Sequence, residues 1–497
     1  MILNLLPGVL AALLALLLPV VALADTPVGA TLELEDCRIS AGPGFPGIKA
    51  RCADFERPLD PAHPAGETIT VFVAVVAALS LEPKPDPFVP IAGGPGQASS
   101  EFYSGYANAF ESIRRERDIV LVDQRGTGAS TRLDCELDEE VVEGRVSVEE
   151  SVEGARRCLE SLPADPRFFT TSVAVEDLEA VRRALAYPQF NVYGISYGTR
   201  VAQHYLRRFP ESTRTVILDG VVPPQVALGP KIAIDAQRAL DAIFARCEES
   251  PPCNERFPEV GRSFARLTSA LDEQPVLVEL PDPLTGTLQA LSFGHNELAG
   301  ALRLLSYHPN TVALIPLLVY EAAAGNHAPL ASQYLMVSES LSEALAIGMH
   351  NAVVCTEDAP FFDREAVDRE ALEATYIGPV QLDALEAMCS VWPAGVMDEE
   401  LRAPVATDRP VLLLSGEADP ITPPRFAELA AVEMSNKALL VGTDQGHGQA
   451  ARTCIPEIMA EFIDAGSVDA IDDKDRECLA TRQFAMPFFL DYTGPSP

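Results

Sequence analysis

NVYGISYGTR, residues 191–200, places one serine between two glycines directly after an apolar run. Ser196 sits in Gly194-Ile195-Ser196-Tyr197-Gly198; a strand arrives through Phe190, Val192 and Tyr193, and a helical pattern leaves over 199–209. A serine hydroxyl is a poor nucleophile near neutrality. It becomes useful when a sharp turn exposes it beside a base, with hydrogen-bond donors aimed at the oxyanion that develops. A strained strand-to-helix turn does this, and small flanking residues let the backbone pack through it. A glycine-rich turn with a capping serine would spell the same five letters. The reading therefore depends on the rest of the chain.

Working outward, short apolar runs recur: TITVFVAVVAAL (68–79), PFVPIAGG (87–94), DIVLVDQRG (118–126), TVILDG (215–220), PVLLLSGEAD (410–419) and KALLVGTDQGHG (437–448). Runs of this length ending in Gly or Asp predict buried parallel strands with function at their C-terminal ends. Helical patterns lie between them. SVAVEDLEAVRRALAY (172–187) repeats apolar residues at Val175, Leu178, Val181 and Leu185 behind Ser172 as a cap. Strand and helix in alternation predict an α/β fold. The alternation stops between about 225 and 405, where helices are expected at 231–249, 258–272, 309–324, 331–348 and 364–376, with a short strand pair near 275–293. Strands resume at 410. The expected organisation is a signal peptide over 1–24, core over 25–224, a mainly helical cap inserted over 225–405, and the rest of the core over 406–497. Residues 25–68, rich in Pro, Gly and Ala, read as an irregular segment.

Two further residues end strands in the right order. Asp419 follows an apolar run in SGEADPITPP, and His447 lies between Gly446 and Gly448 after the last run. Ser196, Asp419, His447 is the chain order of α/β-hydrolase triads. The expected class is thus an α/β-hydrolase: a mostly parallel sheet, helices on both faces, and the helical cap. Ser196 would attack a carbonyl, His447 would carry its proton to the leaving group, and Asp419 would hold the imidazole. Asp219, in VILDG, is the second-ranked acid. GGPGQ (93–97) follows a strand, as an oxyanion loop should; the N–H groups of Gly94 and Tyr197 are the expected donors. No phosphate-loop or dinucleotide pattern accompanies those glycines.

The net charge of −35 repels nucleic acid and anionic lipid. Residues 1–24 carry no charged side chain and end Ala22-Leu23-Ala24, which fits a secretory signal with a small-x-small cleavage site. The protein is expected to be secreted or periplasmic, with no stable membrane association after cleavage. Ten cysteines fall in neighbouring pairs: Cys37 with Cys52, Cys135 with Cys158, Cys247 with Cys253, Cys355 with Cys389, and Cys454 with Cys478. Behind a signal, five disulfides are the natural expectation. No metal or organic cofactor is implied.

GGPGQAS, DQRGTGAS, GISYGTRVAQHY, LDGVVPP and SGEADPITPP together resemble the prolyl aminopeptidase family of α/β-hydrolases. Its secreted branch, the tripeptidyl aminopeptidases with a TAP-like C-terminal region, is the nearer match. CADFERPLDPAHPAGETITVFVAVVAAL, CTEDAPFF and CSVWPAG also resemble that branch. The resemblance implies a serine exopeptidase acting on peptides with a free N-terminus, releasing proline or short peptides. It also implies cap carboxylates that hold the substrate's α-ammonium, with Glu357 first and Asp358 assisting. A solvated acidic turn is the plainer reading of that pair. Asp123 and Arg125 in DQRG are expected to brace the loop beside the oxyanion donors. Many relatives have His where this chain has Ala92. The alternative function is a secreted esterase or lactonase using the same triad.

Overall fold

The computed structural model describes residues 32–42, 45–135, 148–282, 285–481 and 486–494. The expected signal peptide lies outside the described residues. Nine strands form one sheet in the order β1-β2-β3-β5-β4-β6-β7-β10-β11. They are β1 (Glu35–Ile39), β2 (Ile48–Pro58), β3 (Thr68–Val76), β4 (Phe88–Ile91), β5 (Ile119–Val122), β6 (Phe190–Ile195), β7 (Thr213–Asp219), β10 (Val411–Gly416) and β11 (Lys437–Gly442). From β5 to β11 neighbouring strands run parallel, while β1, β2, β3 and β5 pair antiparallel. All seven apolar runs became strands of this sheet.

Two corrections belong to the N-terminal part. The segment expected to be irregular carries β1 and β2, and β3 is antiparallel rather than parallel to its neighbours. Strand β2, IKARCADFERP, lies towards the sheet edge and is only partly covered. It therefore lacks the continuous apolar run that marks a strand buried on both faces.

The buried strands alternate their side chains between two cores. Val192, Val216, Leu218, Val411 and Leu413 pack on one face, with Val175, Leu178 and Val181 from the helix Thr171–Ala184 and Val201 and Tyr205 from the helix Tyr197–Arg208. Tyr193, Ile217, Leu412 and Leu414 pack on the other, with Phe102 and with Ile458 and Phe462 from the helix Ile455–Ala465. This is the period of two that a pleated strand imposes.

Between β7 and β10 no described residue joins the large sheet. That stretch holds helices and one separate hairpin, β8 (Val276–Pro281) with β9 (Leu288–Phe293), around its own apolar core. Its helices include Ile232–Glu249, Val260–Glu273, His295–Leu305, Ala328–Ala344 and Ile347–Glu357. His295–Leu305, Ile347–Glu357 and Val380–Cys389 were not anticipated as helices, the expected helix at 309–324 is two, Pro309–Val312 and Ile315–Ala323, and that at 364–376 shortens to Arg369–Glu373. All five neighbouring cysteine pairs are disulfides.

Candidate active site

Ser196 occupies the turn between β6 and the helix Tyr197–Arg208, with φ 55° and ψ −125°. A non-glycine residue held there costs about 1–3 kcal/mol. A methyl group on Gly194 would lie 2.2 Å from Gly198 O, and one on Gly198 would lie 2.4 Å from Ile91 O. Both glycines are therefore required for backbone to pass backbone. The turn is pinned on both sides. Ser196 N–H donates to Asp219 O at 2.9 Å, and Thr199 donates from its N–H and its hydroxyl to Ser196 O at 2.9 and 2.6 Å. The serine hydroxyl itself is half-buried and has no protein partner among the described residues. In unliganded enzymes the serine–histidine bond is often long and tightens only with substrate.

Asp419 and His447 are brought together across the loops after β10 and β11. His447 Nδ1 donates to Asp419 Oδ2 at 2.8 Å. The carboxylate is fully buried and also accepts from Ile421 N–H (2.9 Å), Thr422 N–H (2.8 Å) and the Thr422 hydroxyl (2.7 Å). With Nδ1 protonated, Nε2 is left free to accept a proton. Burial disfavours charge on both groups, but their mutual attraction and hydrogen bond outweigh it. The carboxyl is held below its ordinary range and the imidazole above. His447 packs against the end of β7, since a methyl on Gly220 would lie 2.8 Å from its Cε1.

Asp219, the rival acid, does not touch the imidazole through a hydrogen bond. Its carboxylate accepts the N–H groups of Gln449 and Ala450 at 2.8 Å and the Tyr193 hydroxyl at 2.9 Å. One residue thus fixes the serine turn through its carbonyl and the histidine loop through its carboxylate. Burial raises the Asp219 carboxyl, and its charge contributes to holding His447 up.

The GGPG loop lies against the serine: a methyl on Gly93 would sit 3.0 Å from Ser196 Cβ and 3.6 Å from its Oγ. The N–H of Gly94 and that of Tyr197, first in its helix, donate to no protein acceptor among the described residues. The helix N-terminus adds partial positive charge at the same place. Asp123 holds the start of the helix Ser99–Tyr106 that follows this loop, accepting Ser100 N–H and Ser100 hydroxyl, both at 2.9 Å. Arg125 acts elsewhere. It forks onto Asp177 at 2.7 and 2.9 Å and donates to carbonyls of Pro58, Leu59 and Phe168, so it braces the sheet rather than the oxyanion loop.

Glu357 and Asp358 end the helix Ile347–Glu357 and are both buried, which excludes the solvated-turn reading. Asp358 takes the Arg200 guanidinium on both oxygens, at 2.8 and 3.0 Å, and accepts Leu228 N–H. Glu357 accepts the N–H (2.7 Å) and hydroxyl (2.8 Å) of Thr171, and Arg200 is 3.7 Å away. The Thr171 hydroxyl also meets the Tyr197 phenol at 2.8 Å. Burial pushes the Glu357 carboxyl up to about 7, against Arg200 and the Thr171 bonds; Asp358 adds to the rise. Sequence reading missed Thr171, Arg200, Thr422 and Tyr307. Arg200 had a signal, being one helical turn beyond Ser196, and Thr422 had one in the DPIT turn. Tyr307 had none. Its carbonyl accepts His447 N–H at 2.8 Å, and its ring stands edge-on to the imidazole with centroids 5.1 Å apart.

The chain has the α/β-hydrolase fold and is a serine hydrolase, with a C-terminal region similar to TAP-like proteins. A family profile described as alpha/beta hydrolase fold matches residues 86–245, and one described as TAP-like protein matches 374–478. The chain is similar to serine protease Hip1 of Mycobacterium tuberculosis, 25% identical over 500 residues, covering 90% of this chain and 91% of that one. It is similar to the tripeptidyl aminopeptidase of Streptomyces lividans, 23% identical over 480 residues, covering 89% and 86%. A shorter likeness, 27% over 278 residues and about half of each chain, joins it to carboxylesterase B of Mycobacterium tuberculosis.

Proposed function

We propose that this protein is a secreted serine aminopeptidase that removes short N-terminal units from peptides. Ser196 is the nucleophile, His447 the general base and then acid, and Asp419 the group that fixes the imidazole. The N–H groups of Gly94 and Tyr197 receive the oxyanion. Removing one such donor typically costs about 2.7–4 kcal/mol of transition-state stabilisation. The acyl-enzyme then forms by loss of the amine and is released by water that His447 activates.

The observation that carries the peptidase reading is Glu357. A buried carboxylate lifted to about 7, with its nearest cation drawn to Asp358, is an incomplete ion pair. An α-ammonium would complete it. Its position fits, one threonine away from Tyr197 and hence from the serine turn. Asp358 serves by holding Arg200. The names of two relatives, a serine protease and a tripeptidyl aminopeptidase, point the same way. Five disulfides fit an oxidising compartment, and no described helix is long and apolar enough to cross a membrane.

The test compares paired chromogenic peptides, free and N-acetylated, with a p-nitrophenyl ester, on the wild type and Ser196→Ala. Turnover of free N-termini alone, lost in the variant, is expected. Equal cleavage of acetylated peptides would sink the aminopeptidase reading. Ester turnover without peptide turnover would favour an esterase, a second reading supported by the likeness to a carboxylesterase.

A further inference from the structure

Arg303 is a cation without a counter-ion beside the site. It lies near the end of the helix His295–Leu305, half-buried, and its Nη2 donates to the Tyr307 phenol at 3.4 Å. That single long bond uses one of five N–H donors. Arg303 forms no ion pair among the described residues. The chain holds 72 carboxylate side chains against 37 Lys and Arg, so a shortage of partners does not explain this. The fully buried arginines are matched, Arg117 to Asp86, Arg125 to Asp177 and Arg200 to Asp358, whereas the half-buried Arg246 and Arg452 form no ion pair among the described residues either; what sets Arg303 apart is its bond to Tyr307 beside His447.

Its one partner places it next to the histidine of the site. Tyr307 stands against the His447 ring and accepts His447 N–H. His350, hydrogen-bonded to Pro95 O of the GGPG loop, is lowered mainly by burial, and the Arg303 charge adds to the lowering. Arg303 thus neighbours the site without touching Ser196, Asp419 or His447. In the proposed reaction the acyl part of the substrate extends from Ser196 towards Glu357, while His447 protonates the departing amine. Arg303 reaches the site through Tyr307, which stands against His447, the group that hands its proton to that amine; this is the ground for assigning Arg303 to the leaving-group side.

Resting on the aminopeptidase reading, we infer that Arg303, steadied by Tyr307, binds a carboxylate on the leaving-group side of the scissile bond. The preferred substrates are then short peptides whose C-terminal carboxylate, or an acidic side chain just past the cleaved bond, reaches the guanidinium.

The experiment uses two kinds of paired substrate on the full mature chain. One set is peptides with free N-termini and identical sequence, ending in a carboxylate or an amide, or carrying Glu or Gln after the cleaved bond in the amide series. The other is 4-acetoxybenzoate against its methyl ester, which places a carboxylate on the leaving group without any peptide. The wild type is expected to favour the anionic member by about 10- to 100-fold in KM. The acid–amide and Glu–Gln arms tell a C-terminal carboxylate from a side chain. Arg303→Met should erase the preference while leaving kcat on the neutral member unchanged, and Arg303→Lys should keep part of it. Equal KM values within every wild-type pair would overturn the inference, as would a loss in Arg303→Met that strikes neutral and anionic members alike. If peptides are not cleaved but the acetoxybenzoate preference is present and vanishes in Arg303→Met, the anion site stands and the peptidase reading falls.

Discussion

Glu357→Gln isolates the charge that the peptidase reading requires. The amide keeps an oxygen for Thr171 N–H and can meet the Thr171 hydroxyl, which rotates to accept or donate, so the local network survives. What disappears is the anion facing the substrate's ammonium. A hydrogen bond to a charged group is worth about 1.5–3 kcal/mol, so kcat/KM on free peptides should fall about 10- to 100-fold. Turnover of an N-blocked ester should not change. The pH dependence follows in sign. The carboxyl titrates at about 7, so its anion, and with it the ammonium site, is lost as pH falls through that value. The substrate's amino group must stay protonated, which sets an alkaline limb near pH 8. In Glu357→Gln the acid limb due to the carboxyl disappears and only that of His447 remains. Stability moves the opposite way. A carboxyl raised from 4.5 to about 7 in the fold destabilises the protein as pH rises through that window, by about 3 kcal/mol above it. The variant should therefore melt higher than wild type at pH 8 and equally at pH 4. Unchanged peptide kcat/KM, or an equal loss on the blocked ester, would refute the reasoning.

Asp419→Asn keeps the bonds from Ile421 and Thr422 but turns the imidazole to the wrong tautomer; kcat should drop by about 10⁴-fold with KM and fold retained, read by steady-state kinetics and circular dichroism. Asp219→Asn removes one of the two anions that hold the His447 imidazole up, with Arg452 facing that carboxylate from beyond. The acid limb of kcat/KM on a blocked ester should move to lower pH; an unmoved limb would leave Asp219 only its hydrogen bonds. Cys355→Ser with Cys389→Ser opens a loop of sequence separation 34, worth about 3–4 kcal/mol, and should lower the melting temperature. Glu357 lies two residues from Cys355, so peptide turnover should weaken before ester turnover.

The strands that carry chemistry were legible because both of their faces are covered. FNVYGI, TRTVILD and VLLLSG are buried throughout or nearly so, and such runs cannot be mistaken for exposed loops. Ser196, Asp419 and His447 could be singled out as candidates because function in this architecture collects at strand ends. Strand β2 was missed because a partly covered strand alternates, and its charged residues broke the pattern. The choice between Asp219 and Asp419 needed coordinates. Both end buried strands, and what separates them is which loop each carboxylate meets: the backbone after His447, or the imidazole itself. The Thr171–Glu357 contact joins residues 186 apart and leaves no trace in local spacing.

The division of labour between core and insertion follows from where these residues fall. The two profile matches, 86–245 and 374–478, contain Gly94, Ser196, Asp419 and His447. The stretch between them contains Arg303, Tyr307, Glu357 and Asp358. It is also joined to the chemistry at fixed points: Ala346 N–H bonds Gly96 O at 3.0 Å, His350 bonds Pro95 O at 3.1 Å, and Tyr307 O takes His447 N–H. An insertion hydrogen-bonded to both the GGPG loop and the His447 loop cannot shift without disturbing them. Substitutions that loosen it should therefore lower kcat as well as raise KM, whereas changes confined to Glu357 or Arg303 should act on substrate choice. Sequence change in 246–373 can then alter which substrates are accepted while Ser196, Asp419 and His447 stay where the sheet holds them.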